Sequence, residues 1–154
     1  MARWLAIDPG TRRLGVAVGE TDGMALPVTV VSAQPRHVAM ERLGDVIDEY
    51  APEGIVVGWP LNMDDSEGPQ ARHARQLAQE VADHTGLDVR LWDERLSSFA
   101  ADAALAGQFT RKKRRARQDA VAAAEILGDF LAGDGPATAP TPAMAVPPAD
   151  QKED

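Results

Sequence analysis

Ala6-Ile7-Asp8-Pro9-Gly10-Thr11-Arg12-Arg13-Leu14-Gly15-Val16-Ala17-Val18-Gly19 reads as a strand, a tight turn and a returning strand. Trp4 to Ile7 lead into Pro9-Gly10, and Leu14, Val16 and Val18 alternate on the way back, the pattern of a hairpin. Asp8 stands where the first strand runs into the turn. A carboxylate in such apolar company is costly to ionise unless something offsets its charge, and a metal ion is the usual offset. The plainer reading is that its side chain caps the turn.

Two other acidic positions sit at the ends of expected elements. Asp93-Glu94 follow the apolar run Val89-Arg90-Leu91-Trp92, and Asp119 opens a helical segment after a basic run. Carboxylates converging from three elements would make a hard oxygen site of the kind that suits Mg²⁺ or Mn²⁺. In the first turn of a helix, Asp119 would also be favoured by the dipole alone.

The chain has 154 residues, room for one ordinary domain with a core. It has no cysteine, which excludes disulfides, thiol catalysis and a thiolate zinc site. The N-terminus lacks the basic, apolar and small-residue succession of a signal peptide. No stretch nears the roughly 18 apolar residues of a membrane span. These features lead us to expect a cytoplasmic protein without membrane partners. The net charge of −8 argues against nucleic acid as a ligand until its distribution is considered. Arg111-Lys112-Lys113-Arg114-Arg115-Ala116-Arg117 places six cations in seven positions, and local charge governs attraction to phosphates. A solvated helix face is the alternative for this run.

Apolar patterning predicts strands at 3–8, 14–20, 25–33, 54–58 and 88–92, and helices at 39–50, 69–84, 98–105 and 118–131. Hairpins followed by helix–strand alternation indicate an α/β fold with a mixed sheet. In such sheets functional residues gather at the carboxyl ends of parallel strands, where Asp8, Gly58 and Asp93-Glu94 all fall. From Gly133 onward Pro, Ala, Thr and Asp dominate, so 1–132 is expected to form the domain and 133–154 a disordered Ala/Pro-rich acidic tail, dispensable for folding.

Four segments carry a resemblance: Ile7-Asp8-Pro9-Gly10-Thr11-Arg12, Gly58-Trp59-Pro60-Leu61-Asn62-Met63, Asp93-Glu94-Arg95-Leu96-Ser97-Ser98 and Asp119-Ala120-Val121-Ala122-Ala123-Ala124. In order and approximate spacing they resemble the motifs of the YqgF-type pre-16S rRNA nucleases, which are ribonuclease H-like and related to RuvC Holliday-junction resolvases. The resemblance spans about residues 3–132. It implies a ribonuclease H-like mixed five-stranded sheet flanked by helices and a metal-dependent phosphodiester hydrolase. The activity implied is processing of the 5′ end of pre-16S rRNA in ribosome biogenesis. It also implies Asp8, Glu94 and Asp119 as the catalytic acids holding Mg²⁺ or Mn²⁺. Spacing alone does not choose between Asp93 and Glu94, whose side chains on an extended backbone should point oppositely.

On this reading the nucleic-acid-binding positions are Gly10, Thr11 and Arg12 in the turn beside Asp8, Trp59, Arg95, and Arg111, Lys112, Lys113, Arg114, Arg115 and Arg117. Trp59 replaces a smaller apolar residue usual in the family; its ring either stacks on a base or packs in the core. Arg95 either approaches the scissile phosphate or pairs with Asp93. RNA is favoured over DNA, with a ribosome precursor as partner. Other readings are a resolvase-like DNA nuclease, which would need a homodimer, a non-catalytic nucleic-acid or ribosome-associated module, and a phosphotransferase. The last draws on the Asp-x-Gly-Thr turn of sugar kinases, whose two domains this chain is too short to form.

Overall fold

The computed structural model describes residues 2–21, 23–96 and 111–145, with no description of the side chains of residue 96 or residues 111–118. Strands β1 (Arg3–Pro9), β2 (Arg13–Glu20) and β3 (Leu26–Ser32) are followed by helix α1 (Arg36–Tyr50), β4 (Gly54–Trp59), α2 (Pro69–Thr85) and β5 (Asp88–Asp93). A 3-10 turn (Glu94–Leu96), the long helix α3 (Arg111–Ala132) and the short α4 (Gly135–Thr138) complete the order. The five strands form one sheet in the order β3-β2-β1-β4-β5. The β1–β2 and β2–β3 pairs are antiparallel, and β1–β4 and β4–β5 are parallel. This is the mixed α/β sheet that the patterning predicts.

Alternation along the strands sorts side chains into two cores. Leu5, Ile7, Ile55, Val57, Val89 and Leu91 face one way, against Leu43 and Ile47 of α1 and Leu77 and Val81 of α2. Trp4, Ala6, Ala17 and Val56 face the other, against Ala123, Ile126, Leu127 and Phe130 of α3. Covered on both faces, β4 carries the nearly continuous apolar run expected of a central parallel strand. Phe130, wholly buried, meets Trp4 and Trp92 edge-on at 4.9 and 5.8 Å, contacts worth about 0.5–1.5 kcal/mol each beyond burial.

The helix limits follow local chemistry. Pro69 opens α2 where its missing N–H costs nothing, and Gly86 closes it at φ 71° with its N–H donating to the Ala82 carbonyl. Helix α3 begins at Arg111, seven residues before the expected start at Gln118. Arginine and lysine are good helix formers, so the basic run extends the helix without contributing to its apolar period. The helix expected at 98–105 lies outside the described residues.

The expectation of a disordered tail from 133 does not hold for residues 133–145. Residues 135–138 form α4, Gly135 and Ala139 are buried, and Ala145 packs against the α1/α2 core. Leu91 N–H donates to the Pro140 carbonyl at 2.8 Å, and Arg90 Nη1 to the Ala139 carbonyl at 2.7 Å. The segment therefore lies along the outer edge of β5. Composition missed this because main-chain groups make the attachment. Residues 146–154 lie outside the described residues.

Candidate active site

Parity places Asp8. It shares the face of Trp4 and Ala6, the side covered by α3, and pairs across the sheet with Gly15. At Gly15 a β-carbon would collide with the Asp119 carbonyl, so only glycine lets the α3 backbone settle onto β2 there. That contact carries Asp119 to the end of the sheet where Asp8 lies. Gly58, at the end of β4 on the same face, has a comparable role: a β-carbon would stand 3.2 Å from the Glu94 carboxyl carbon and 2.9 Å from Ile126 Cδ1. Glu94 thus lies over β4 toward Asp8, and two glycines make the space in which three acids gather.

The electrostatics agree with this convergence. Burial, then the neighbouring charges of Glu94 and Asp119, push the Asp8 carboxyl up to about 8. Glu94 rises to about 7 through burial and then the charge of Asp93. Both carboxyls are therefore raised, each by burial first. Asp119 Oδ2 lies 2.6 Å from Arg13 Nε, an ion-pair contact without hydrogen-bond geometry, so this buried oxygen accepts no hydrogen bond.

Among the described residues, no group of three or more His, Cys, Asp or Glu side chains is arranged to hold a metal ion. Asp8, Glu94 and Asp119 are hard oxygen donors, Asp119 paired with Arg13 and the other two carboxyls raised by burial first. A divalent cation sharing its ligands with water and substrate fits that donor chemistry. Asp119 sits in the third turn of α3, not the first turn the sequence suggests. Its position owes nothing to the helix terminus; the close approach at Gly15 accounts for it.

Asp93 and Glu94 have different surroundings. Asp93 accepts from Arg95 Nε at 2.9 Å, Nη2 at 2.6 Å and the Arg95 backbone N–H at 3.0 Å. Burial would raise the Asp93 carboxyl, but these bonds and the arginine charge outweigh it and hold it below the usual range. Arg95 also donates to the carbonyls of Asn62 and Met63 and to Asp65. Of its two expected roles, the guanidinium takes the pairing with Asp93.

Trp59 is likewise committed. It packs on the α1/α2 core, on the face opposite Asp8, and donates through Nε1 to Glu67 Oε2 at 3.0 Å. Arg75 holds both oxygens of the same carboxylate at 2.9 Å, with side-chain exposures of 13% for Arg75 and 3% for Glu67. Trp59 is thus held both at its indole nitrogen and by the α1/α2 core, with its ring half-buried. Burial pushes Glu67 up, and the Arg75 and Trp59 hydrogen bonds bring it below its ordinary value.

The turn residues Thr11 and Arg12 are exposed beside the acids, with Gly10 half-buried. Arg111, Lys112, Lys113, Arg114, Arg115 and Arg117 lie on the first turns of α3, and their side chains are outside the description. Residue 111 is eight positions before Asp119, about 12 Å along the helix. Sequence reasoning passed over Arg13, Glu67 and Arg75. Glycine inside an otherwise apolar strand was the available sign of the close approach at Gly15.

A family model described as "RuvX: Holliday junction resolvase" matches residues 2–133. A "Putative pre-16S rRNA nuclease" of Geobacillus thermodenitrificans (strain NG80-2) is 43% identical over 133 residues, covering 84% of this chain and 96% of the relative. A protein of the same name from Anaeromyxobacter sp. (strain Fw109-5) is 42% identical over 133 residues, covering 85% and 97%. Among solved structures, T. thermophilus RuvC in complex with Holliday junction substrate superposes with a TM-score of 0.51 at 21% identity, covering 84% of this chain and 94% of RuvC. That likeness is one of fold: RuvC-like, hence ribonuclease H-like.

Proposed function

The chain belongs to the RuvX family and is a nuclease; from that premise we propose that it is a divalent-metal-dependent RNA nuclease acting at the 5′ end of pre-16S rRNA. The observation that carries this reading is the convergence of Asp8, Glu94 and Asp119, with Asp8 pushed up to about 8 by burial and by the other two. The names of relatives at 42–43% identity support the RNA substrate.

In this proposal Asp8, Glu94 and Asp119 hold Mg²⁺ or Mn²⁺. When bound, such ions activate water and stabilise the leaving oxygen of an in-line phosphoryl displacement. The protein's own part is placement and charge. Asp8 presents its carboxylate on a short side chain from the central strand β1. Arg13 sets the orientation of Asp119 from 2.6 Å away. Arg12 and the Gly10–Thr11 backbone meet the phosphate from the turn, as successive N–H groups can. The cations at the start of α3, on the helix that bears Asp119, bind the flanking backbone and fix register without reading bases. No described helix is long and apolar enough to cross a membrane, and we place the activity in the cytoplasm.

A second reading, a resolvase cutting DNA junctions as a dimer, is favoured by the family's description. One assay separates the two. Purified protein with Mn²⁺ or Mg²⁺ is given a single-stranded RNA spanning the 16S precursor 5′ end, duplex DNA and a four-way junction. The proposal expects cleavage of the RNA, loss of cleavage with chelator and no cleavage by Asp8→Asn. Junction cutting with the RNA left intact would establish the second reading. With none of the three cut under either metal, the chain would be a non-catalytic module that keeps the fold.

A further inference from the structure

The loop between β4 and α2 contains a residue whose conformation stability does not explain. Asp65 adopts φ 70°, the left-handed region, at a cost of roughly 1 kcal/mol for a residue other than glycine. Its side chain is 84% exposed, so burial returns nothing. The 2.8 Å bond from Arg95 Nη2 to Asp65 Oδ1 is an exposed ion pair, worth about 0–1 kcal/mol. The two contributions cancel at best, and glycine would occupy the same backbone without strain.

What the bond accomplishes is mechanical. Arg95 directly follows Glu94, and its backbone N–H closes the turn onto Asp93. Its guanidinium then reaches out of that turn to the Asn62 carbonyl at 2.8 Å, the Met63 carbonyl at 3.3 Å and Asp65. The loop is itself stiff: Asn62 N–H donates to the Ser66 carbonyl, Asp65 N–H to the Asn62 carbonyl and Ser66 N–H to Asp64 Oδ1. One side chain therefore joins a braced loop to the turn that carries a proposed catalytic acid. Backbone strain held at such a junction is expected where position matters more than stability.

We propose that Asp65 is a positioning residue: as the side chain of the 62–66 loop that Arg95 bonds, it completes, with the Asn62 and Met63 carbonyls, the tie between that loop and the 94–96 turn and so helps fix Glu94 opposite Asp8. The inference deepens the nuclease reading and rests on it. A merely structural role would make activity follow stability; a positioning role separates them.

Three substitutions make the test. Asp65→Asn keeps an acceptor oxygen and tolerates the left-handed conformation. Asp65→Gly relieves the backbone and removes the anchor, and Asp65→Ala removes the anchor and keeps the strain. Melting temperatures should rank Gly at or above the parent, Asn near it and Ala below. RNA cleavage with Mn²⁺ should rank differently: Asn close to the parent, and Gly and Ala both reduced about tenfold in kcat with KM within twofold. Amide exchange across residues 94–96 should be faster in Asp65→Gly than in the parent, although that variant melts no lower. Parent-like kcat in Asp65→Gly, or kcat tracking melting temperature through the series, would overturn the proposal. If the parent cleaves nothing, the nuclease reading fails by itself. The exchange rates then judge the clamp: faster exchange in Gly sustains it and unchanged exchange refutes it.

Discussion

Replacing Asp8 with Asn should make the metal-free protein more stable while abolishing its activity. An acid whose carboxyl is raised in the fold contributes stability that is complete below its unfolded value, near 3.8, and lost as pH rises through its folded value, about 8. A shift of about four units is worth roughly 5–6 kcal/mol if Asp8 titrates alone. It does not: burial is the first cause of the shift and the charges of Glu94 and Asp119 add to it, so the single-site figure is an upper bound. A gain on the order of 1–3 kcal/mol at pH 8 follows, or about 2–4 °C of melting temperature per kcal/mol for a chain of this size. At pH 5 the parent's Asp8 is protonated and the gain should shrink toward zero. Thermal melts in chelator from pH 5 to 8 measure this directly. Adding Mn²⁺ should stabilise the parent, increasingly at high pH because its ligands must lose protons, and leave Asp8→Asn little changed. A variant no more stable than the parent at pH 8 without metal would refute the argument that the fold disfavours ionisation of Asp8.

Other outcomes follow from the same geometry. Glu94→Gln should lose at least about a hundredfold in kcat, the scale of removing a main electrostatic stabiliser, and Asp93→Asn should lose less; the reverse ranking in a cleavage assay would shift the site by one residue. Replacing several of Arg111, Lys112, Lys113, Arg114, Arg115 and Arg117 with Ala should weaken RNA binding alike across sequences. The log–log salt slope should flatten by about 0.7–0.9 for each phosphate left without its cation, as titrations at several salt concentrations would record. Arg75→Leu should cost about 1–3 kcal/mol in a denaturant melt, since it takes from Glu67 the guanidinium that holds both its oxygens. Ending the chain after Gly133 should lower the melting temperature, and ending it after Ala145 should not; equal melting of all three lengths would mean that the segment along β5 contributes nothing.

The hairpin and the placement of Asp8 were legible because a period of two allows no latitude. Once Trp4 and Ala6 face one way, Asp8 must face that way too. Glu94 was not separable from Asp93 by spacing, because the strand ends between them and a 3-10 turn takes over. The start of α3 escaped because hydrophobic period is silent over six cations, although their propensity is helical. Trp59 had two readings, and what settles its surroundings is Glu67, eight residues away and held by Arg75 on another element. Glycine at 15 carried a usable signal. A residue without a side chain amid Leu14, Val16 and Val18 marks a place where another backbone arrives.

The segment beyond α3 changes what an end of this sheet is. An outer strand ordinarily offers unpaired N–H and C=O groups, an invitation to any extended chain. At β5 the Leu91 N–H is already taken by the Pro140 carbonyl, and proline brings no N–H of its own. At that point the covering piece accepts and has no N–H to return, which blunts the edge of β5 at Leu91. The family match ends at residue 133, before that piece begins. A chain trimmed to the shared length would keep the three acids and lose its terminator, and concentrated solutions of it should sediment as larger species than the full chain.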